Sequence, residues 1–91
     1  MDDKENIYDI KWENCPEHAR PALRRYVEGR LRPGSFLYAV LSNNLIQAIE
    51  TADDENKRDL NALVKFMYTE IPAACWGSVN KVEKWIKGGQ S

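Results

Sequence analysis

SFLYAVLSNNLIQAIETA, residues 35–52, places apolar side chains at every third or fourth position. This spacing predicts an amphipathic helix, because residues three and four apart share one face of a helix. Additional apolar side chains widen that face, so we expect this helix to be the most buried of the fold. Asn43 and Asn44 interrupt the pattern, and asparagine is a poor residue inside a helix. The sequence therefore predicts a kink or a restart at this pair.

The next helix is expected to begin at Asp53-Asp-Glu55, where acidic side chains suit the positive end of the helix dipole. Pro72 ends it, because proline cannot continue a helix. The apolar stripes of these two helices predict one shared core. The residues expected in that core are Leu37, Val40, Leu41, Leu45, Leu63, Val64 and Met67.

On the N-terminal side, a first helix is predicted from about Pro16 to Glu28. Proline is tolerated only near the start of a helix, so the alternative is that regular helix begins at Pro21. Gly29 is the expected C-terminal cap. Pro33-Gly34 marks the turn into the apolar helix.

On the C-terminal side, residues 73–77 are predicted to form a loop that carries Cys75 and Trp76. Ser78 is expected to cap a short last helix, which Gly88-Gly89 ends. The side chains expected to face inward from this helix are Val79, Val82, Trp85 and Ile86.

The first six residues are predicted to be a frayed tail, and Tyr8, Ile10 and Trp12 then alternate with polar residues. Period two is typical of an extended segment. Because a lone strand is unstable, the segment must lie over the helices, pair with a second copy, or form an arm that its aromatic side chains anchor. The whole sequence predicts an all-α fold, a compact bundle of about four short helices in residues 16–91 with an extended N-terminal arm in residues 1–15.

Composition and charge narrow the classes of function. Ninety-one residues, 43% hydrophobic and 30% charged, are expected to form one domain. A net charge of −1 disfavours non-specific nucleic-acid binding, which needs a basic excess. Cys15 and Cys75 have no zinc or redox spacing, and we expect both to be reduced thiols of a cytosolic protein. The polar start and the absence of a long apolar run predict no secretory signal and no membrane span, and no motif predicts a metal or a cofactor.

Five arginines lie within thirteen residues, and only Glu28 offsets them. They are Arg20, Arg24, Arg25, Arg30 and Arg32. Arginine binds phosphate and carboxylate through two parallel hydrogen bonds, so this segment is the candidate anion site. The alternative is that these arginines form salt bridges to Asp53, Asp54, Glu55 or Asp59, within or between subunits.

Polar and aromatic residues elsewhere add candidates. Asn43 and Asn44 could hydrogen-bond a ligand or cap a restarted helix, and Trp76 could stack on a base or belong to the core. His18, Cys75 and Ser78 lack catalytic partners at suitable spacing, so we expect no enzyme. The predicted ligand-binding residues are Arg24, Arg25, Arg30, Arg32, Asn43, Asn44 and Trp76.

Four segments of the chain carry a resemblance to a known family, in the same order as in that family: RRYVEGRLRPGSFLYAVLSNNL at 24–45, ADDEN at 52–56, VKFMYTEIP at 64–72 and CWGSVNKVEKW at 75–85. Together they resemble a family of small helical proteins that tailed bacteriophages and prophages encode. The resemblance implies a compact domain without catalytic machinery in the cytoplasm of the bacterial host. Small phage proteins of this kind are commonly counter-defence factors, and some oligomerise and sequester cyclic nucleotides that trigger host immunity.

Three functions follow as hypotheses. The first is a non-catalytic homo-oligomer that binds a small anionic ligand, such as a cyclic nucleotide immune signal. The second is a protein–protein adaptor or an inhibitor of a host defence protein. The third is a nucleic-acid-binding regulator, which the acidic pI disfavours. A protein that sequesters a small anion requires a concave pocket lined by arginines. An adaptor requires an exposed apolar patch, and a DNA-binding protein requires a continuous basic face.

Overall fold

The computed structural model describes residues 9–88, and all regular secondary structure in that range is helical. The helices are α1 (Arg20–Gly29), α2 (Ser35–Leu41), α3 (Leu45–Thr51), α4 (Asp54–Glu70) and α5 (Val79–Gly88), with short 3-10 turns at Trp12–Asn14 and Ala73–Cys75. The radius of gyration is 12.2 Å, as expected for a compact domain of this size. The all-α prediction is confirmed, with five α-helices in the described range where about four were expected.

The extra helix arises because the chain stops and restarts at Asn43 and Asn44. Asn43 adopts a left-handed conformation (φ 64°) and its N–H donates to the Val40 carbonyl at 3.1 Å, while the Asn44 N–H reaches the Ala39 carbonyl at 2.8 Å. These two bonds form a Schellman motif, which closes the end of a helix. The Asn44 side chain then accepts from the Gln47 N–H at 3.2 Å and so caps the start of α3. The predicted restart is confirmed.

The break decides which apolar residues reach the core. Leu37 and Leu41 of α2 are buried, as predicted. The expectation that the stripe continues through residues 45–52 is confirmed at Ala48 and wrong at Leu45, because the helix stops and restarts between α2 and α3. Leu45 and Ile46 are 61% and 74% exposed, and only Ala48 of α3 is buried.

Two further predictions of burial are also corrected. Val64 is 43% exposed because it lies at the edge of the buried face of α4, whereas Leu63 and Met67 lie at its centre. Val79, at the first position of α5, is exposed, while Val82 is fully buried.

Helix α4 has the predicted boundaries. The Asp53 carboxylate accepts the Asn56 N–H at 2.8 Å and caps the N-terminus. The helix ends at Glu70, two residues before Pro72. No helix within residues 9–88 has the length and hydropathy needed to cross a bilayer.

Helix α1 ends differently from the prediction. Gly29 remains helical, and Arg30 takes the left-handed cap conformation with φ 57°. The inner face of α1 is buried against the rest of the bundle, where the Tyr26 hydroxyl donates to the Cys75 carbonyl at 2.6 Å. This bond ties α1 to the turn before α5.

The N-terminal segment lies over the helices, which is one of the predicted alternatives. Ile10 and Trp12 are both buried, and the Trp12 ring lies 5.6 Å from the Phe66 ring of α4. The predicted extended conformation is wrong at Trp12, which begins a 3-10 turn, and residues 9–88 contain no strand. Tyr8 and the predicted frayed tail lie outside the described residues.

Candidate functional site

The C-terminal ends of α1 and α5 cap each other through Arg30 and Trp85. Arg30 Nη1 donates to the Trp85 carbonyl at 2.8 Å, one of the last four carbonyls of α5, which lack a partner inside the helix. In return, Trp85 Nε1 donates to the carbonyls of Tyr26 (3.0 Å) and Val27 (3.2 Å). The Arg30 guanidinium carbon lies 3.8 Å from the Trp85 ring centroid, a cation–π contact. Arg30 therefore has a structural role at this junction.

Arg32 joins the turn before α2 to α5. Its two terminal nitrogens each donate to one carboxylate oxygen of Glu83 at 2.9 Å, and the Tyr38 hydroxyl donates to the same carboxylate. The hydrogen bond from Arg32, followed by that from Tyr38, lowers the pKa of Glu83 to about 2. The hydrogen bond that the Tyr38 hydroxyl donates to Glu83 raises the pKa of Tyr38. The guanidinium fork that an external phosphate would need is thus already filled.

Arg24 and Arg25 lie elsewhere, on an open groove of about 510 Å³ along α1. Arg24 Nε lies 3.1 Å from the Glu28 carboxylate one turn away, and such an exposed pair contributes little to stability. The Arg25 side chain is exposed and makes no hydrogen bond, ion pair or ring contact with the residues that the structure describes. We call this the arginine groove; it is lined by Pro21, Arg24, Arg25, Glu28, Gly29 and Leu31.

Two of the four acidic residues expected as salt-bridge partners of the arginines have other roles. Asp59 lies 3.3 Å from His18 Nδ1, and Asp53 caps α4. The carboxylates that do pair with the arginines are Glu28 and Glu83. Within residues 9–88, the ion pairs of the arginine segment are therefore with α1 and α5, and none is with the acidic start of α4.

Exposed apolar side chains lie in and beside a groove between α3 and α4. Leu45 and Val64 line one groove of about 160 Å³ between these helices. Tyr68, one turn beyond Val64, extends the surface to Trp76, whose ring centroid lies 6.3 Å away and which lines the same groove. We call this surface the apolar face; its exposed members are Leu45, Ile46, Ile49, Val64 and Tyr68.

The other predicted ligand residues lie at the apolar face and not at the arginine groove. Asn43, Asn44 and Trp76 all line the groove between α3 and α4. The Asn44 amide is already bonded to Gln47, and Trp76 Nε1 donates to the Ile71 carbonyl at 3.2 Å. The seven predicted residues thus divide among the arginine groove, the contacts with α5 and the apolar face.

The side chains with nucleophilic or acid–base potential are held in structural contacts. His18 is half-buried, and its Nε2 lies 2.6 Å from the Asn56 side-chain oxygen of α4. Burial raises the pKa of the Cys75 thiol to about 12 and that of Cys15 to about 11, which keeps both protonated at neutral pH. Ser78 accepts the Lys81 N–H at 3.2 Å at the start of α5.

Sequence reasoning missed the apolar face because it assigned Leu45 and Val64 to the core. The available signal was the Asn43–Asn44 pair, since a restarted helix need not keep the direction of the first. Comparison of this chain with family models, with curated proteins and with solved structures found no match.

Proposed function

We propose that this protein works by binding and not by catalysis, and that the apolar face is its protein-binding surface. The observation that supports the proposal is a set of five large apolar side chains, 43% to 74% exposed, on the two helices that border one groove. Single exposed apolar residues are ordinary, but a contiguous patch beside a groove is typical of a protein–protein contact.

A protein-binding surface is required by two of the functions expected from the sequence. A homo-oligomeric binder of a small anion needs a contact between subunits, and an adaptor or inhibitor of a host defence protein needs a contact with that protein. An apolar face can supply either contact. The setting we propose is that of a phage counter-defence protein in the cytoplasm of the bacterial host, which rests on the resemblance of residues 24–85.

A photo-crosslinking amino acid in place of Ile46 tests the proposal in cells that express the protein. Ile46 is the most exposed member of the apolar face at 74%, so replacing it should not disturb the core. Val79 is a matched control, since it is an apolar residue that is 53% exposed and lies on α5 and not on α3 or α4. We expect a protein adduct from position 46 and none from position 79. Equal yields from both positions, or no adduct from position 46, would contradict the proposal.

A second candidate function, anion binding, rests on Arg25. Its guanidinium is exposed in the arginine groove and makes no contact that the structure describes. Arg24 makes an exposed pair with Glu28 and lies 5.7 Å from the Trp12 ring centroid, and such exposed contacts are weak enough for its fork to turn to a phosphate at small cost. Arg30 and Arg32 are bonded to α5, so this candidate needs only the first two arginines.

A thermal-shift screen against a panel of cyclic nucleotides tests this second function. A ligand at one hundred times its dissociation constant adds about 2.7 kcal/mol to stability. Arg25→Lys should abolish the shift, because lysine keeps the charge but loses the planar fork. Arg58→Lys, an exposed position on α4, is the matched control and should keep the shift. A shift that survives Arg25→Lys would rule out the arginine groove as the site.

A further inference from the structure

The rim of the apolar face carries opposite charges on its two helices. Glu50 follows Ile46 by four residues on α3, so the two side chains share one stripe of that helix. Lys57 precedes Val64 by seven residues on α4, so it shares the stripe of Val64. Both charged residues are exposed, and neither forms an ion pair within residues 9–88. Glu50 is the one charged residue of α3, so the α3 edge of the face is acidic. On α4, exposed Asp54 precedes Lys57 by one turn, and Lys57 and exposed Arg58 together leave this edge with a net positive charge.

These two charges both lie near the end of the groove at which α3 joins α4. Ala52 and Asp53 join α3 to α4, and Glu50 and Lys57 are two residues before and four residues after this connection. Each therefore lies within about one helical turn of the connection, given a rise of about 1.5 Å per residue. A second molecule placed with its α3 over α4, and at the same level, would bring opposite charges together.

A two-fold axis that runs along the groove produces this arrangement. Rotation about such an axis places α3 of each copy over α4 of the other and leaves the level along the groove unchanged. The apolar side chains of the two faces then meet, and Glu50 of each copy meets Lys57 of the other. A two-fold contact uses one self-complementary patch on both subunits, and this face meets that condition in both hydrophobicity and charge.

We propose that the apolar face is occupied by a second copy of this chain, in a two-fold dimer whose axis follows the groove between α3 and α4. The inference rests on the proposed function, because it names the partner at the same face. A partner with a uniformly charged helix would meet a like charge at one edge of the face, whereas a second copy meets opposite charges at both edges.

Light scattering and sedimentation equilibrium on the full chain test the dimer. The wild-type protein should have twice the 10.5 kDa mass of one chain at micromolar concentration. Ile46→Glu should weaken association at least a hundredfold, because it buries an unpaired charge in each copy of the contact. Val79→Glu is the matched control and should leave association unchanged, since Val79 is equally an exposed apolar residue but belongs to α5.

A charge exchange tests the arrangement of the two copies. Glu50→Lys and Lys57→Glu should each weaken the dimer roughly tenfold, because each places like charges together twice in the symmetric contact. The double variant should restore the wild-type dissociation constant. Both positions are exposed, so circular dichroism should show intact helices in all three variants.

The outcomes separate this inference from the proposed function. A monomeric wild-type protein whose position 46 still crosslinks to another protein would overturn the dimer and keep the proposed function. A monomer that gives no adduct at position 46 would overturn both. A dimer that Ile46→Glu does not weaken, or a double charge variant that stays as weak as the single ones, would overturn the proposed arrangement.

Discussion

Arg30 is a residue whose backbone and side chain have opposing effects on stability. Its left-handed conformation (φ 57°) costs a non-glycine residue about 1–2 kcal/mol. The side chain offsets this cost through the hydrogen bond to the Trp85 carbonyl and the stacking at 3.8 Å on the Trp85 ring. A hydrogen bond to a charged donor and a cation–π contact each contribute about 1–2 kcal/mol.

Two substitutions at this position separate the backbone effect from the side-chain effect. Arg30→Ala should lower the free energy of unfolding by about 1–3 kcal/mol, because it removes both contacts and keeps the left-handed conformation. Arg30→Gly should lower it by about 0.5–1 kcal/mol less, because glycine adopts that conformation without strain. Urea denaturation measures both values. Equal losses would show that position 30 is not strained, and no loss from either would show that the contacts with α5 are weak.

Glu83 should make the free energy of unfolding depend on pH in the acidic range. Its pKa is lowered to about 2 by the bonds from Arg32 and Tyr38, whereas its unfolded value is about 4.5. Because the folded pKa is the lower one, the stabilisation is fully present above the unfolded value and is lost as pH falls from about 4.5 to about 2. The melting-temperature difference between wild type and Glu83→Gln should therefore be constant above pH 5.5 and shrink over that window. A difference that stays constant down to pH 2 would contradict this role of Glu83.

At the scale of the elements, α2 and α3 give a matched pair of leucines on one predicted stripe. Leu41 is fully buried in α2, whereas Leu45 is 61% exposed in α3. Leu41→Ala should cost about 2–5 kcal/mol through lost burial and the cavity that remains. Leu45→Ala should cost less than about 1 kcal/mol in the monomer, since little of its surface is removed from water. Equal losses in urea denaturation would mean that the stripe is continuous and that the helix does not restart.

The sequence was sufficient for the elements that depend on local signals. The Asp53 cap and Pro72 set the limits of α4, and the asparagine pair set the break after α2, as each residue acts on its own backbone. The directions of the helices could not be predicted. A left-handed residue such as Asn43 redirects the chain by tertiary geometry, and no periodicity in residues 45–51 records the new direction.

The candidate site was less predictable than the fold, for the same reason. The segment rich in arginine was visible in the sequence, but its partners were not. Arg30 and Arg32 contact α5, which lies more than fifty residues further along the chain. Helix periodicity identifies which residues share a face and says nothing about which helix that face meets. The apolar face could not be predicted for the same reason, because an exposed leucine and a buried leucine can have the same spacing in the sequence.

At the scale of the whole molecule, a dimer through the apolar face would couple stability to concentration. Folding and association are then linked, because binding of a second copy stabilises only the folded chain. For a domain of this size, the melting temperature of the wild-type protein should rise by roughly 4 °C for each tenfold increase in protein concentration while the dimer persists to the transition.

Calorimetry of the variants designed to test the dimer should show whether melting temperature depends on protein concentration through this contact. Ile46→Glu should make the melting temperature independent of concentration, because a monomer unfolds without dissociating. Val79→Glu should keep the wild-type dependence, since Val79 is an exposed apolar residue of α5 and not of the two helices in the proposed contact. At high dilution the wild-type protein and Ile46→Glu should converge to within about 0.5 kcal/mol in stability, because a surface substitution has little effect on the folded monomer. A wild-type melting temperature that does not change over a hundredfold range of concentration would exclude a contact that is coupled to folding.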